Sequence, residues 1–256
     1  MILHPTPEGL VAIRQSAHAF LAFQLADHWG NRFTPRPSPR PEVLAAVLLH
    51  DIGWDGLEEP PRLGTNGLPI AFDTLPEEER EALWTAAVER AALRGRYVGY
   101  LVSHHVTMLA TLYARTAHPD FVAREENRRA RLCAEMAGDA RYAGALRGPV
   151  DAINRAVVRL ADEIAVHLSQ GMAGAVEIRE VPRRDGNGTL TLEEIATRVY
   201  RLHPWPLVGR RLDLHAEGVL LPARRFENQA ALGQAWARAS VVRLRWTLLA
   251  AGEPRD

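Results

Sequence analysis

Pro41-Glu42-Val43-Leu44-Ala45-Ala46-Val47-Leu48-Leu49-His50-Asp51-Ile52-Gly53-Trp54 is the stretch on which the reading of this chain turns. Pro41 suits the first turn of a helix, where its missing N–H has no intrahelical partner to lose. The spacing predicts a helix over residues 42–51 that Gly53 terminates. Val43, Val47 and His50 lie on one side of it, and Leu44, Leu48 and Asp51 on an adjacent one. The helix buries its apolar face and, on its last turn, carries an imidazole and a carboxylate inward. A buried carboxylate without a partner is costly, whereas one that ligates a cation is compensated.

Upstream, residues 10–29 read as a helix, with Leu10, Ile13, Ala17 and Phe20 on one stripe and His18, Leu21 and Leu25 beside it. Two helices thus point histidines inward. The simplest common destination is a metal ion, for which neutral imidazole and carboxylate are fitting ligands. Between the two helices, residues 31–41 carry four prolines and read as a rigid connector. Residues 54–76, rich in Pro and Gly, read as a long ordered loop, a feature that is often functional in compact domains.

Helical patterns resume over residues 77–93, 97–115, 119–136 and 149–169. After Gly171 the period changes to two, in Val176–Ile178, Leu212–Leu214 and the run Val242, Leu244, Trp246, Leu248. Glu217-Gly218 reads as a hairpin turn, and residues 228–238 as a short helix. The expected fold is α+β and mostly α. It has a helical metal-binding core over residues 1–170, with a small antiparallel β-rich part over residues 171–256 packed on it.

With 256 residues and 47% apolar side chains, the chain can build a sizeable core. Basic and acidic side chains balance at 31 each, and every basic one is Arg. The absence of Lys excludes Schiff-base and P-loop lysine chemistry, so any phosphate must be met by Arg, backbone amides or metal. A neutral balance gives no reason to expect a nucleic-acid polymer or a membrane surface as partner. No apolar run is long enough to span a bilayer. Cys133 is the only cysteine, which removes intrachain disulfides and thiolate clusters. The start lacks the basic patch and apolar run of a signal peptide, and the expected compartment is the cytoplasm.

His18, the dyad His50-Asp51, the pair His104-His105, and Asp162 within Leu160-Ala161-Asp162-Glu163-Ile164-Ala165 form an ordered set of helical ligands. The set resembles the HD-domain superfamily of metal-dependent phosphohydrolases over roughly residues 10–170. The runs Gln15-Ser16-Ala17-His18, Trp29-Gly30, His50-Asp51-Ile52-Gly53-Trp54 and His203-Pro204-Trp205-Pro206 look like an uncharacterised bacterial branch of it. The resemblance implies that His18, His50, Asp51 and Asp162 ligate one divalent cation, with Mn, Fe, Zn, Ni and Mg all compatible. It also implies a water activated by that cation and, as substrate, a small phosphorylated molecule or nucleotide. Asp162 rests on the resemblance alone, because it lies off the centre of its helix's apolar stripe. Two-metal members carry a further histidine some two dozen residues before the second-site histidine. None lies between His50 and His104, which favours one cation.

The remaining candidates are graded by position. Helix neighbours diverge by about 100°, so only one of His104 and His105 faces inward. Both are carried as groups that assist proton transfer, with Asp51 orienting the water and Asp55, in the loop after the dyad, as a further acid or base. Arg14, one turn before His18, is the arginine placed to meet a phosphate. Trp54 is expected at the substrate pocket, Trp29 either there or in the core, and Glu58 and Glu59 as solvated loop residues. His203-Pro204-Trp205-Pro206 reads as a brace between body and sheet. No His-Glu-x-x-His, Gly-x-Ser-x-Gly or Gly-x-Gly-x-x-Gly occurs. The function expected is a metal-dependent phosphohydrolase. The alternatives are a di-iron oxygenase of the same fold or a catalytically silent ligand-binding or regulatory module.

Overall fold

The computed structural model describes residues 1–114, 118–222 and 225–254. The chain opens with a hairpin of β1 (Ile2–Thr6) and β2 (Gly9–Ile13), followed directly by α1 (Gln15–Asp27). Residues 10–13, expected as helix, are therefore strand. Gly-Leu-Val-Ala-Ile is buried along its whole length. A strand covered on both faces shows no alternation, so apolar residues at positions 10 and 13 imitated a helical stripe.

α2 (Arg40–Leu49) carries Pro41 in its first turn, as expected. It ends at Leu49, and Ile52–Trp54 forms a single 3-10 turn. His50 and Asp51 thus occupy the joint between two helical pieces. Gly53 does not terminate α2; it lets this turn press on α3 (Glu77–Ala92), where a Cβ would lie 2.1 Å from the Leu83 carbonyl oxygen. The body is completed by α4 (Arg96–Leu112), α5 (Pro119–Met136) and α6 (Gly148–Gln170). Arg115, the expected end of the fourth helix, lies outside the described residues. α1 packs on α2 and α6, and α4 packs on α2, α3, α5 and α6. The facing side chains, among them Leu21, Leu25, Val43, Val47, Leu101 and Ile164, are wholly buried.

The rest of the chain is sheet: β3 (Ala175–Arg183), β4 (Gly186–Ala196), β5 (Val199–His203), β6 (Arg211–Leu221) and β7 (Ser240–Leu249), with α7 (Gln229–Arg238) before the last strand. The fold is α+β, as expected. Its sheet is larger than expected, with seven strands in the order β1-β2-β6-β7-β5-β4-β3. The N-terminal hairpin joins it by pairing Leu10 with Leu221, and β5 runs parallel to β7. Residues 1–13 therefore belong to the sheet, and a boundary at residue 170 cuts across it. Glu217-Gly218 is not a turn, because β6 passes through it with Gly218 opposite Val242. A Cβ at Gly218 would lie 2.5 Å from Val11 Cγ1, so glycine serves close approach by β2 here.

Among the described residues no helix is long and apolar enough to cross a membrane. Cys133 is a half-buried free thiol.

Candidate metal centre

Four elements deliver five polar side chains to one point between the helices. His18 comes from α1, His50 and Asp51 from the joint after α2, His105 from α4 and Asp162 from α6. The three imidazoles are almost fully buried. Asp162 is central: its Oδ1 lies 2.9 Å from His18 Nε2 and 3.3 Å from His50 Nε2, and its Oδ2 lies 3.4 Å from His105 Nε2. His50 Nε2 is also 3.3 Å from Asp51 Oδ2. Coordinating atoms of His18, His50 and Asp162 all lie within 4.8 Å of one another.

His50 shows what such a cluster requires. Its Nδ1 donates to the Val47 carbonyl oxygen at 2.6 Å, which leaves Nε2 as the nitrogen facing two carboxylates. That Nε2 is buried and makes no hydrogen bond among the described residues, and neither does His105 Nε2. A bare lone pair against two carboxylates is repulsive unless a proton or a cation lies between them. Burial pushes the His50 pKa down, but the Asp51 and Asp162 charges outweigh it and hold it well above its usual value. Burial likewise raises both carboxyls, and the surrounding imidazoles more than reverse that. Asp51 titrates below the ordinary carboxylate range and Asp162 well below it.

The distances suit a cation. Bonds of about 2.0–2.2 Å to nitrogen and oxygen place neighbouring ligand atoms about 2.8–3.6 Å apart in octahedral or tetrahedral geometry. The spacings of 2.9–3.4 Å around Asp162 fall in that range. Gln15 supports the arrangement, donating its side-chain N–H to Asp51 Oδ2 at 3.0 Å. Gln15 is held in turn by buried Glu58, which accepts the Gln15 backbone N–H at 2.9 Å. Glu58 therefore satisfies a free amide at the start of α1, a role that its place in an acidic loop hid.

A cavity of about 500 Å³ opens beside the cluster, lined by His18, Asp51 and Asp162. Trp54, Trp84 and Tyr113 supply aromatic wall, while Arg80, Arg159 and His167 supply polar wall. Trp54, expected at a substrate pocket, lines this cavity. Trp29 is fully buried in the core instead. In the sequence reading, Arg80 and Arg159 are not singled out and His167 takes no role. Arg159, Glu163 and His167 repeat at four-residue spacing on α6, a polar stripe beside Asp162 that could have flagged them.

Three residues expected at the site are not among those brought together there. Arg14 precedes α1 in extended conformation. Its guanidinium pairs with Glu59 at 2.5 Å and stacks 5.2 Å over Trp236, so it does not line the cavity. Asp55 ends the 3-10 turn, is exposed, and reaches neither cluster nor cavity. His104 diverges from His105 and is absent from the lining of the cavity beside the cluster; it faces a neighbouring cavity of about 430 Å³ that His105 also borders. Its ring stands edge-on to Tyr100, and burial, with Arg129 and Arg155 nearby, holds its pKa down at about 3. Of the pair, His105 is the inward member.

A family model described as "Protein of unknown function (DUF3891)" matches residues 1–223, and the chain belongs to that family. No curated protein matches the chain, and no solved structure does either.

Proposed function

We propose that this member of the family is a metal-dependent phosphohydrolase acting on a small phosphorylated molecule, as its resemblance to the HD-domain superfamily implies. The observation that carries the reading is His50: one nitrogen is committed to Val47, and the other is buried 3.3 Å from both Asp51 and Asp162 without a hydrogen bond among the described residues. His18, His50, Asp51 and Asp162 would hold one divalent cation, with His105 against the far oxygen of Asp162. When bound, such a cation neutralises charge on a phosphoryl oxygen and acidifies water.

The other residues act around that centre. Gln15 fixes the rotamer of Asp51 through the 3.0 Å hydrogen bond, leaving its other oxygen free to orient a water. Trp54 and Trp84 exclude bulk solvent and offer flat faces to an organic moiety. Arg159 and Arg80 line the same cavity and meet an anionic group from the side. His167 is kept mainly neutral because burial lowers its pKa against the pull of Asp162. It can therefore accept a proton within the cavity. The single free thiol is in keeping with a reducing cytoplasm.

Metal analysis of the purified chain, followed by a screen of phosphate esters, tests the reading. About one equivalent of cation with phosphate release, both lost in Asp162→Asn, is the expected result. Two equivalents of iron with oxygen consumption would overturn it in favour of an oxygenase. Ligand variants that lose stability alone, in a chain that takes up no metal, would leave a silent binding module.

A further inference from the structure

We infer a second ligand site, remote from the metal centre, that takes a small phosphate-type polyanion in the cleft between residues 30–36 and 203–210. The cleft has a volume of about 640 Å³ and shares no lining residue with the cavity at the metal centre. That volume falls within the usual range for small-molecule pockets.

Charge is the first observation. Arg32, Arg36, Arg183 and Arg210 line the cleft, and no acidic residue does among those described. In a chain whose 31 basic and 31 acidic side chains cancel, this is a strong local excess. Arg183 and Arg210 have carboxylate partners, Asp185 and Glu253, outside the lining. Arg32 and Arg36 form no ion pair among the described residues; Arg32 instead stacks on the exposed Phe33 at 4.6 Å. Two uncompensated guanidiniums, with two more beside them, suit an anion with several oxygens better than a single carboxylate.

Construction is the second. Gly30 has φ +104, and a Cβ there would lie 2.3 Å from Arg36 Cγ. The bare backbone is what allows the stem of the exposed Arg36 to lie against it. Asn31 locks the two loops together. Its amide donates to the Trp205 carbonyl at 2.8 Å, and its Oδ1 accepts from the backbone N–H groups of Phe33 and Thr34. Gly30 adds a backbone bond to the Pro206 carbonyl at 2.9 Å. Trp205 lines the cleft with its indole N–H buried and without an acceptor among the described residues. A buried donor of this kind is costly until an acceptor arrives. The Trp-Gly and His-Pro-Trp-Pro runs thus frame the arginine-lined cleft as well as bracing its two loops.

Calorimetric titration of the full chain with inorganic pyrophosphate, in EDTA to silence the metal centre, tests the site. Saturable one-to-one binding is expected. Arg36→Gln and Arg32→Gln should each weaken it by about tenfold or more, and Trp205→Phe should weaken it measurably. Gly30→Ala should reproduce the Arg36 loss by displacing its stem without touching a charge. His50→Gln should bind as tightly as wild type. The absence of binding to the wild type would overturn the inference. So would affinity unchanged in a folded Arg36→Gln protein, or affinity lost only in His50→Gln. Because the assay excludes divalent metal, failure of the phosphohydrolase reading leaves this result unaffected.

Discussion

The ring of His50 turns back on the helix before it, its Nδ1 lying 2.6 Å from the carbonyl oxygen of Val47 three residues earlier. This contact sets both the tautomer and the orientation of the imidazole, as second partners of metal-binding histidines do. On the proposed reading, this contact prepares His50 for a cation. The purified chain should carry about one equivalent of divalent metal. His18→Gln and Asp162→Asn should each reduce occupancy by about tenfold or more at matched metal concentration. Elemental analysis of dialysed protein, with circular dichroism to confirm folding, measures this.

Gln15 tests the support around Asp51. In Gln15→Leu the 3.0 Å hydrogen bond to Asp51 disappears. The backbone N–H that Glu58 accepts remains, so α1 keeps its start. Metal affinity should fall by roughly 10–100-fold with little change in melting temperature in EDTA. A competition titration with a fluorescent chelator reads the affinity.

His104 sets an acid limit on stability. Its folded pKa is about 3 against an ordinary value of 6.5, from burial first and then from Arg129 and Arg155. Between those values the unfolded chain binds a proton that the folded chain refuses. Stability should therefore fall as pH drops from about 6.5 toward 3, by up to about 1.4 kcal/mol per pH unit from this group. His4 and His167, also lowered by burial, add to the same slope. Urea unfolding of wild type and His104→Gln between pH 4 and 7 should show a shallower acid slope in the variant.

Gly218 is the strand position with least room. Adding a Cβ 2.5 Å from Val11 Cγ1 and 3.1 Å from the Ala12 carbonyl oxygen must push β2 away from β6. Gly218→Ala should cost about 1–3 kcal/mol, visible as a lower urea midpoint.

Arg14 serves as the contrast. Its partner Glu59 is largely solvated and Trp236 covers only one face of the guanidinium. Arg14→Gln should leave metal content unchanged and cost at most about 1 kcal/mol. Elemental analysis and urea unfolding of the same sample check both halves.

Much of this molecule is legible without coordinates, because helices of three to six turns with one apolar face declare themselves by period. α2, α3, α5 and α6 lie within a few residues of where spacing puts them. His18 and the His50-Asp51 pair were readable for the same reason: polar residues on an apolar stripe have to be compensated. Two things misled. The fully buried β2 lacks alternation, and Gly218 imitated a turn while serving a close crossing.

By itself, then, the sequence determined the helical body, the α+β class and the inward placement of His18, His50 and Asp51, since each follows from local period and the cost of burying charge. Only the tertiary structure decided that Asp162 sits at the centre of the cluster and that His105 rather than His104 faces it. It also turned Arg14 away toward Glu59 and gave the N-terminal hairpin to the sheet. Those outcomes depend on how helices rotate against one another and which strands meet across more than 200 residues. Such contacts join chain segments that no local window contains.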